Sequence, residues 1–248
     1  MSPLLSVRNL CRSFGGLAVT QDVSLDIAQG SQEAIIGPNG AGKSTFFNLL
    51  TGYHRPSSGS IIFDGTEVSR MPPHRIVRLG MSRAFQVANI FIRMTVFENV
   101  RCAVQAHMGC SFHLFGVAEL EGVERTSEIL DQCRLLDKRH AEASSLSQGD
   151  RKKLELALAL ASDPKLLLLD EPTAGMSLEE THETMNVVDS LNQRLGITVL
   201  FTEHDMSVVF NHARRITVLH RGKIVAQGLP DDIRNDAYAQ EIYFGEKV

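Results

Sequence analysis

"GPNGAGKST", Gly37 to Thr45, decides the fold of this 248-residue chain. It follows the apolar run "SQEAIIG" and leads into a helical pattern from about Ser44. The spacing fits GxxxxGK[ST], a loop between a buried strand and a helix. Gly37, Gly40 and Gly42 let the backbone N–H groups curl around an anion. The helix that follows adds the partial positive charge of its N-terminus. Lys43 is spaced to reach the β- and γ-phosphates of a nucleotide, and the Ser44 hydroxyl to ligate Mg²⁺. The whole loop, with Pro38, Asn39, Ala41 and Thr45, is the candidate nucleotide-binding segment. A glycine-rich turn without a ligand is the plain alternative, and the strand-before, helix-after setting counts against it.

A second apolar run, "LLLLDE", ends in acids. As a buried parallel strand it places Asp170 at the C-terminal edge of the sheet, beside the phosphate loop. Asp170 is then a Mg²⁺ ligand, through water, and Glu171 a base that orients or deprotonates an attacking water. His204 in "FTEHD" follows another such strand and falls on the same edge, within reach of a γ-phosphate, although a lone histidine is ordinarily structural. Gln86 in "SRAFQ" could serve water or Mg²⁺, and spacing alone leaves the reading as a polar loop residue open. Phe14 could stack on adenine, where a lone aromatic is more often core.

The length suits one large domain or two small ones, and the rest of the chain mixes strand and helix patterns. "SIIFDGTEV" carries Asp64-Gly65, a hairpin signal. "YHRPSSGS" and "MPPH" read as loops. From about Val87 the pattern turns helical, with Val96, Val100 and Val104 at four-residue spacing. Asp163-Pro164 stops a helix, Ser177 opens another with Glu180 as capping partner, and "RRITVLHRGKIVAQG" reads as a closing hairpin. Strand–helix alternation argues for a mainly parallel sheet with crossover helices.

Basic residues number 25 and acidic residues 29, a net charge of −4 that gives no global case for nucleic acid or an anionic membrane surface. Cys11, Cys102, Cys110 and Cys133 show neither CxxC nor zinc spacing, which suits reduced thiols in a cytosolic protein. "MSPLLSVRNLCRSF" lacks the pattern of a signal peptide. The most apolar region, Leu154 to Leu169, is broken by Glu155, Asp163, Pro164 and Lys165, so membrane association is expected to go through a partner.

One more stretch bears on the phosphate site. "LSQGD", Leu146 to Asp150, precedes a long helical run, and Ser147 and Asp150 fit a capping box. A phosphate loop covers a nucleotide from one side, and hydrolysis needs charge stabilisation from the other. A second helix N-terminus opened by Ser and Gly would serve.

Taken in order, GPNGAGKST, Gln86 after a phenylalanine, LSQGD, LLLLDE, "AGMS" and His204 resemble the ATP-binding subunits of ABC transporters over nearly the whole chain. The resemblance implies an α/β P-loop NTPase with a mainly parallel central sheet, an N-terminal antiparallel β subdomain and a helical subdomain inserted over approximately 87–163, all within a single domain, 1–248. It implies ATP and Mg²⁺ as ligands and a head-to-tail dimer in which Ser147 and the backbone at Gly149 meet the γ-phosphate bound by the other subunit. The common form of the signature is LSGGQ; here Gln148 and Asp150 differ. "AGM", "TEHDM" and "EIYFGE" look like the ATPases of branched-chain amino-acid importers. That likeness implies integral membrane permease subunits, a second ATPase subunit, an extracytoplasmic binding protein acting indirectly, and a place on the cytoplasmic face of the inner membrane. Urea, amide or lipid transport, or a soluble ATPase of the same family, are the other readings. "VANIFIRMTVFENV" is where the family receives the permease's coupling helix, and core packing is the plain account of most of its apolar residues.

Overall fold

A computed structural model describes residues 2–84, 90–109 and 122–244. Alternating burial builds the first sheet. Strand β1 (Leu5–Phe14) buries Leu5, Val7 and Leu10, and β2 (Leu17–Ile27) buries Val23, Leu25 and Ile27. With β4 (Ser58–Phe63) and β5 (Thr66–Glu67) they form an antiparallel sheet of order β2-β1-β4-β5. Asp64 and Gly65 make the expected tight turn at φ 47° and 74°, and Phe63 pairs with Thr66 across it.

The second sheet has the order β10-β9-β3-β8-β7-β6. Strands β3 (Gln32–Ile36), β6 (Met81–Ala84), β7 (Leu166–Asp170), β8 (Thr198–Thr202) and β9 (Arg215–His220) run parallel, and β10 (Lys223–Gly228) closes one edge antiparallel. Both faces are covered, which explains the unbroken leucine run. Leu166 and Leu168 join the core shared with the first sheet and α1 (Lys43–Leu50). Leu167 and Leu169 join the opposite core, with Val96, Val100 and Val104 of α3 (Val96–Met108).

Helix α2 (Pro73–Leu79) precedes β6. Between β6 and β7 the described chain is helical: α3, α4 (Val123–Gln132) and α5 (Gln148–Leu160). Helices α6 (Leu178–Leu195) and α7 (Met206–His212) cross between later strands, and α8 (Pro230–Asn235) and α9 (Ala237–Phe244) follow the hairpin. Among the described residues no helix is long and apolar enough to cross a membrane.

Three local expectations are corrected. The "YHRPSSGS" loop gives up its end to β4, because Ser58 and Ser60 pair with Cys11 and Arg8. "MPPH" starts α2, with Pro73 at the first helical position, where its missing N–H costs nothing. At LSQGD only half of the capping box forms. Ser147 Oγ accepts the Asp150 N–H at 3.2 Å, but the Asp150 carboxylate does not return to the cap. It accepts Lys138 Nζ at 2.5 Å and lies 3.7 Å from Lys153 Nζ. The box at Ser177 and Glu180 is complete.

Candidate functional site

The phosphate loop connects β3 to α1, and its glycines are required by contact. A Cβ on Gly37 would lie 2.1 Å from the Leu219 carbonyl oxygen, and one on Gly42, at φ 107°, 2.7 Å from that of Val19. The β9–β10 turn braces the loop from outside. Its Gly222 N–H donates to the Ala41 carbonyl at 2.9 Å, and its carbonyl accepts the Gln21 N–H at 2.7 Å. Gly222 has φ 78°, and a Cβ there would meet the Val19 carbonyl oxygen at 2.4 Å. Gly222→Ala is therefore expected to cost about 1–3 kcal/mol in denaturant unfolding. It should also weaken nucleotide binding, because the brace bears on the loop.

Val19, Asn39, Gly40, Ala41, Gly42, Lys43, Ser44, Thr45 and Glu171 line one cleft of about 190 Å³. Lys43 is buried, and its Nζ donates to the loop's own carbonyls, Gly37 O at 2.6 Å and Pro38 O at 3.3 Å. Burial pushes its pKa down, against the pull of Glu171 and Asp170. The ammonium is thus held over the loop with its charge poorly solvated, a setting that rewards an anion. Ser44 is exposed at the start of α1.

Asp170 ends β7, and both of its oxygens are engaged. Oδ1 accepts the Thr202 hydroxyl at 2.8 Å and Oδ2 accepts Arg83 Nη2 at 2.6 Å. Glu171 follows in the left-handed region at φ 52°, fixed by its N–H donating to Thr202 O at 3.1 Å. A non-glycine residue held there stores strain, as functional positions often do. His204, from the end of β8, donates through Nε2 to Glu171 Oε1 at 3.0 Å. Glu203 ties the two loops together. Its Oε1 accepts the Thr173 N–H at 2.8 Å and hydroxyl at 2.7 Å, and its Oε2 accepts the His204 N–H at 3.1 Å. One acid thus stands in the cleft wall with a histidine against it, opposite the phosphate loop.

Phe14 ends β1 and is not among the residues lining the cleft. Its ring lies under the Arg12 guanidinium at 4.5 Å and edge-on to His54 at 5.2 Å. Gln86 lies outside the described residues, as does Cys110.

Ser147 caps α5, and its neighbour Gly149 is occupied by an anion of the chain itself. The Gly149 N–H donates to Glu180 Oε1 at 3.1 Å, while Glu180 Oε2 accepts the Ser177 N–H at 3.2 Å. A Cβ on Gly149 would stand 3.0 Å from the Glu180 side chain, so a larger residue there would require that side chain to shift by a few tenths of an ångström. The Ser177 and Gly149 N–H groups, with Ser147, hold the Glu180 carboxyl below the usual range. A carboxylate at this helix start shows that the place suits negative charge.

Sequence reading took Glu180 only as the capping partner of Ser177, without its bond to Gly149, and passed over Arg83 and Glu203. Glu203 adjoins His204 and Arg83 lies three residues before Gln86, but a charged residue near the end of a strand carries no local sign of its partner across the sheet.

A loop of backbone N–H groups with a lysine over it, facing an acid at the end of the adjacent parallel strand but one, is the site of a P-loop nucleotide hydrolase. The ABC transporter family model matches residues 20–174. The chain is 36% identical over 251 aligned positions, 98% of both chains, to the high-affinity branched-chain amino acid transport ATP-binding protein LivG of Salmonella typhimurium. It is 35% identical, again over 98% of both, to the corresponding protein BraF of Pseudomonas aeruginosa. An ATP-binding cassette of an ABC transporter in its ADP conformation superposes with a TM-score of 0.87 at 28% identity, covering 99% of this chain and 100% of that one. The chain belongs to the ABC transporter family, as one of its ATP-hydrolysing subunits.

Proposed function

We propose that this chain energises import of branched-chain or related amino acids, paired with a second ATPase subunit beneath two membrane permeases and served by an extracytoplasmic binding protein. The likeness to LivG and BraF along the whole chain supports the substrate class. The observation that carries the ATPase cycle is Glu171 in the cleft wall with His204 bonded to it, facing Lys43 and the loop.

In this cycle the loop N–H groups and Lys43 bind the phosphates of ATP. Phe14 is the candidate for the adenine. The oxygen donors of Ser44, Asp170 and Gln86 are of the type and small number that Mg²⁺ takes when it keeps several waters. When bound, Mg²⁺ would supply positive charge that neutralises the charge developing on the phosphates. Glu171 orients the attacking water and accepts its proton. His204 fixes Glu171 and lies toward the γ-phosphate. Ser147 and Gly149 of one subunit approach the γ-phosphate held by the other, so ATP favours the closed pair and hydrolysis releases it. The dimer is proposed at the membrane's cytoplasmic face, held there by the permeases.

The test is reconstitution in proteoliposomes with the permeases and second ATPase that co-purify with it. ATP hydrolysis should rise several-fold when the binding protein carries leucine, isoleucine or valine. Stimulation by none of these, with stimulation by another solute class, would refute the substrate assignment and leave the ATPase intact.

A further inference from the structure

Arg83 is a buried cation with no part in the cycle above. It sits on β6, with its side chain 7% exposed against 9% for Asp170. Its guanidinium works as a fork. Nη2 donates to Asp170 Oδ2 at 2.6 Å, and Nη1 to Asn48 Oδ1 at 2.7 Å on α1. The Phe47 ring lies 5.5 Å beneath it. One planar group thus joins the helix that carries Ser44 to the strand that carries Asp170.

We propose that Arg83 is the resident counter-cation and positioning residue of Asp170, allowing the site to take ATP before Mg²⁺. The inference rests on reading Asp170 as a metal-site carboxylate. Without Arg83, Lys43 alone would face Asp170 and Glu171, and an incoming polyanion would meet net negative charge. With Arg83, the two cations balance the two acids. The fork also leaves Asp170 one fixed orientation, set by Thr202 on its other oxygen. A pair serving stability alone has no need to bond both elements of the metal site, since buried ion pairs add little net stability over apolar packing.

The experiment compares ATP affinity with Mg²⁺ and in EDTA, by calorimetry, for wild type and Arg83→Gln. Loss of a buried unit charge bonded to Asp170 should change metal-free affinity by about tenfold or more. Because the metal supplies the missing charge, affinity in Mg²⁺ should fall only about threefold or less. The magnesium dependence of binding therefore steepens. Equal losses in the two conditions, or no loss in EDTA, overturn the proposal, since a purely structural role moves both alike. If Arg83→Gln does not fold, Arg83→Lys keeps the charge and loses the fork. It should bind ATP in EDTA within about threefold of wild type, and a tenfold loss in the folded lysine variant overturns the counter-charge role. If the wild type itself bound no ATP in Mg²⁺, the reading of the site would fail instead.

Discussion

Glu171→Gln should bind ATP as well as the wild type while its steady-state hydrolysis falls by about two to four orders of magnitude, the range of a lost general base. The substitution changes one oxygen to an amide. The backbone bond from Glu171 N–H to Thr202 O is untouched, so the strained φ of 52° and the cleft survive. The bond with His204 Nε2 can persist through the remaining oxygen. What is lost is a group able to accept a proton from water. If binding of ATP closes the dimer and only hydrolysis opens it, the variant should accumulate as an ATP-bound dimer, visible by light scattering after size exclusion. Unchanged hydrolysis would remove Glu171 from the mechanism. Lost hydrolysis with unchanged dimer population would keep Glu171 as base and cut the link between closure and chemistry.

The wall of the cleft was legible for physical reasons. A phosphate loop needs glycine where a Cβ would strike a carbonyl, and Gly37 and Gly42 meet that condition against Leu219 and Val19. Leu166 to Leu169 are buried on both faces of the sheet, so the first acids after Leu169 mark the end of that apolar run. What stayed hidden is what the sheet brings together across long sequence gaps. Arg83 and Asp170 are neighbours only because β6 and β7 pair in parallel, with Arg83 opposite Leu168. Nothing in "SRAFQ" shows that register. The brace from Gly222 to Ala41 is of the same kind: a hairpin turn is visible, its target is not. The errors at Ser58 and Pro73 have another source. Serine, glycine and proline mark turns on average, but cross-strand pairing to β1 and the tolerance of a first helical position override that average.

The signature offers the second large effect, and its geometry separates two roles that composition could not. Asp150 turns to Lys138 and Lys153, so its charge is neutralised away from the helix start, and Ser147 and Gly149 remain the groups that face an anion. In the isolated chain that anion is Glu180. Ser147→Ala removes a cap worth about 1 kcal/mol, and as a cap alone it would lower unfolding stability while leaving turnover per folded molecule unchanged. As a phosphate ligand in the closed dimer it should cost at least about tenfold in turnover, as loss of one preorganised donor to a developing charge does. Glu180→Gln makes the opposite case. It also weakens a cap, that of Ser177, so a structural account predicts reduced stability and nothing more. If the Gly149 N–H must exchange the Glu180 carboxylate for a γ-phosphate, removing the resident anion should favour closure. In the Glu171→Gln background, half-maximal dimerisation should then need severalfold less ATP, measured with the partner ATPase present. The two substitutions thus move the dimer in opposite directions although both weaken a helix cap. Parallel losses in both would return the LSQGD helix start to an ordinary structural cap.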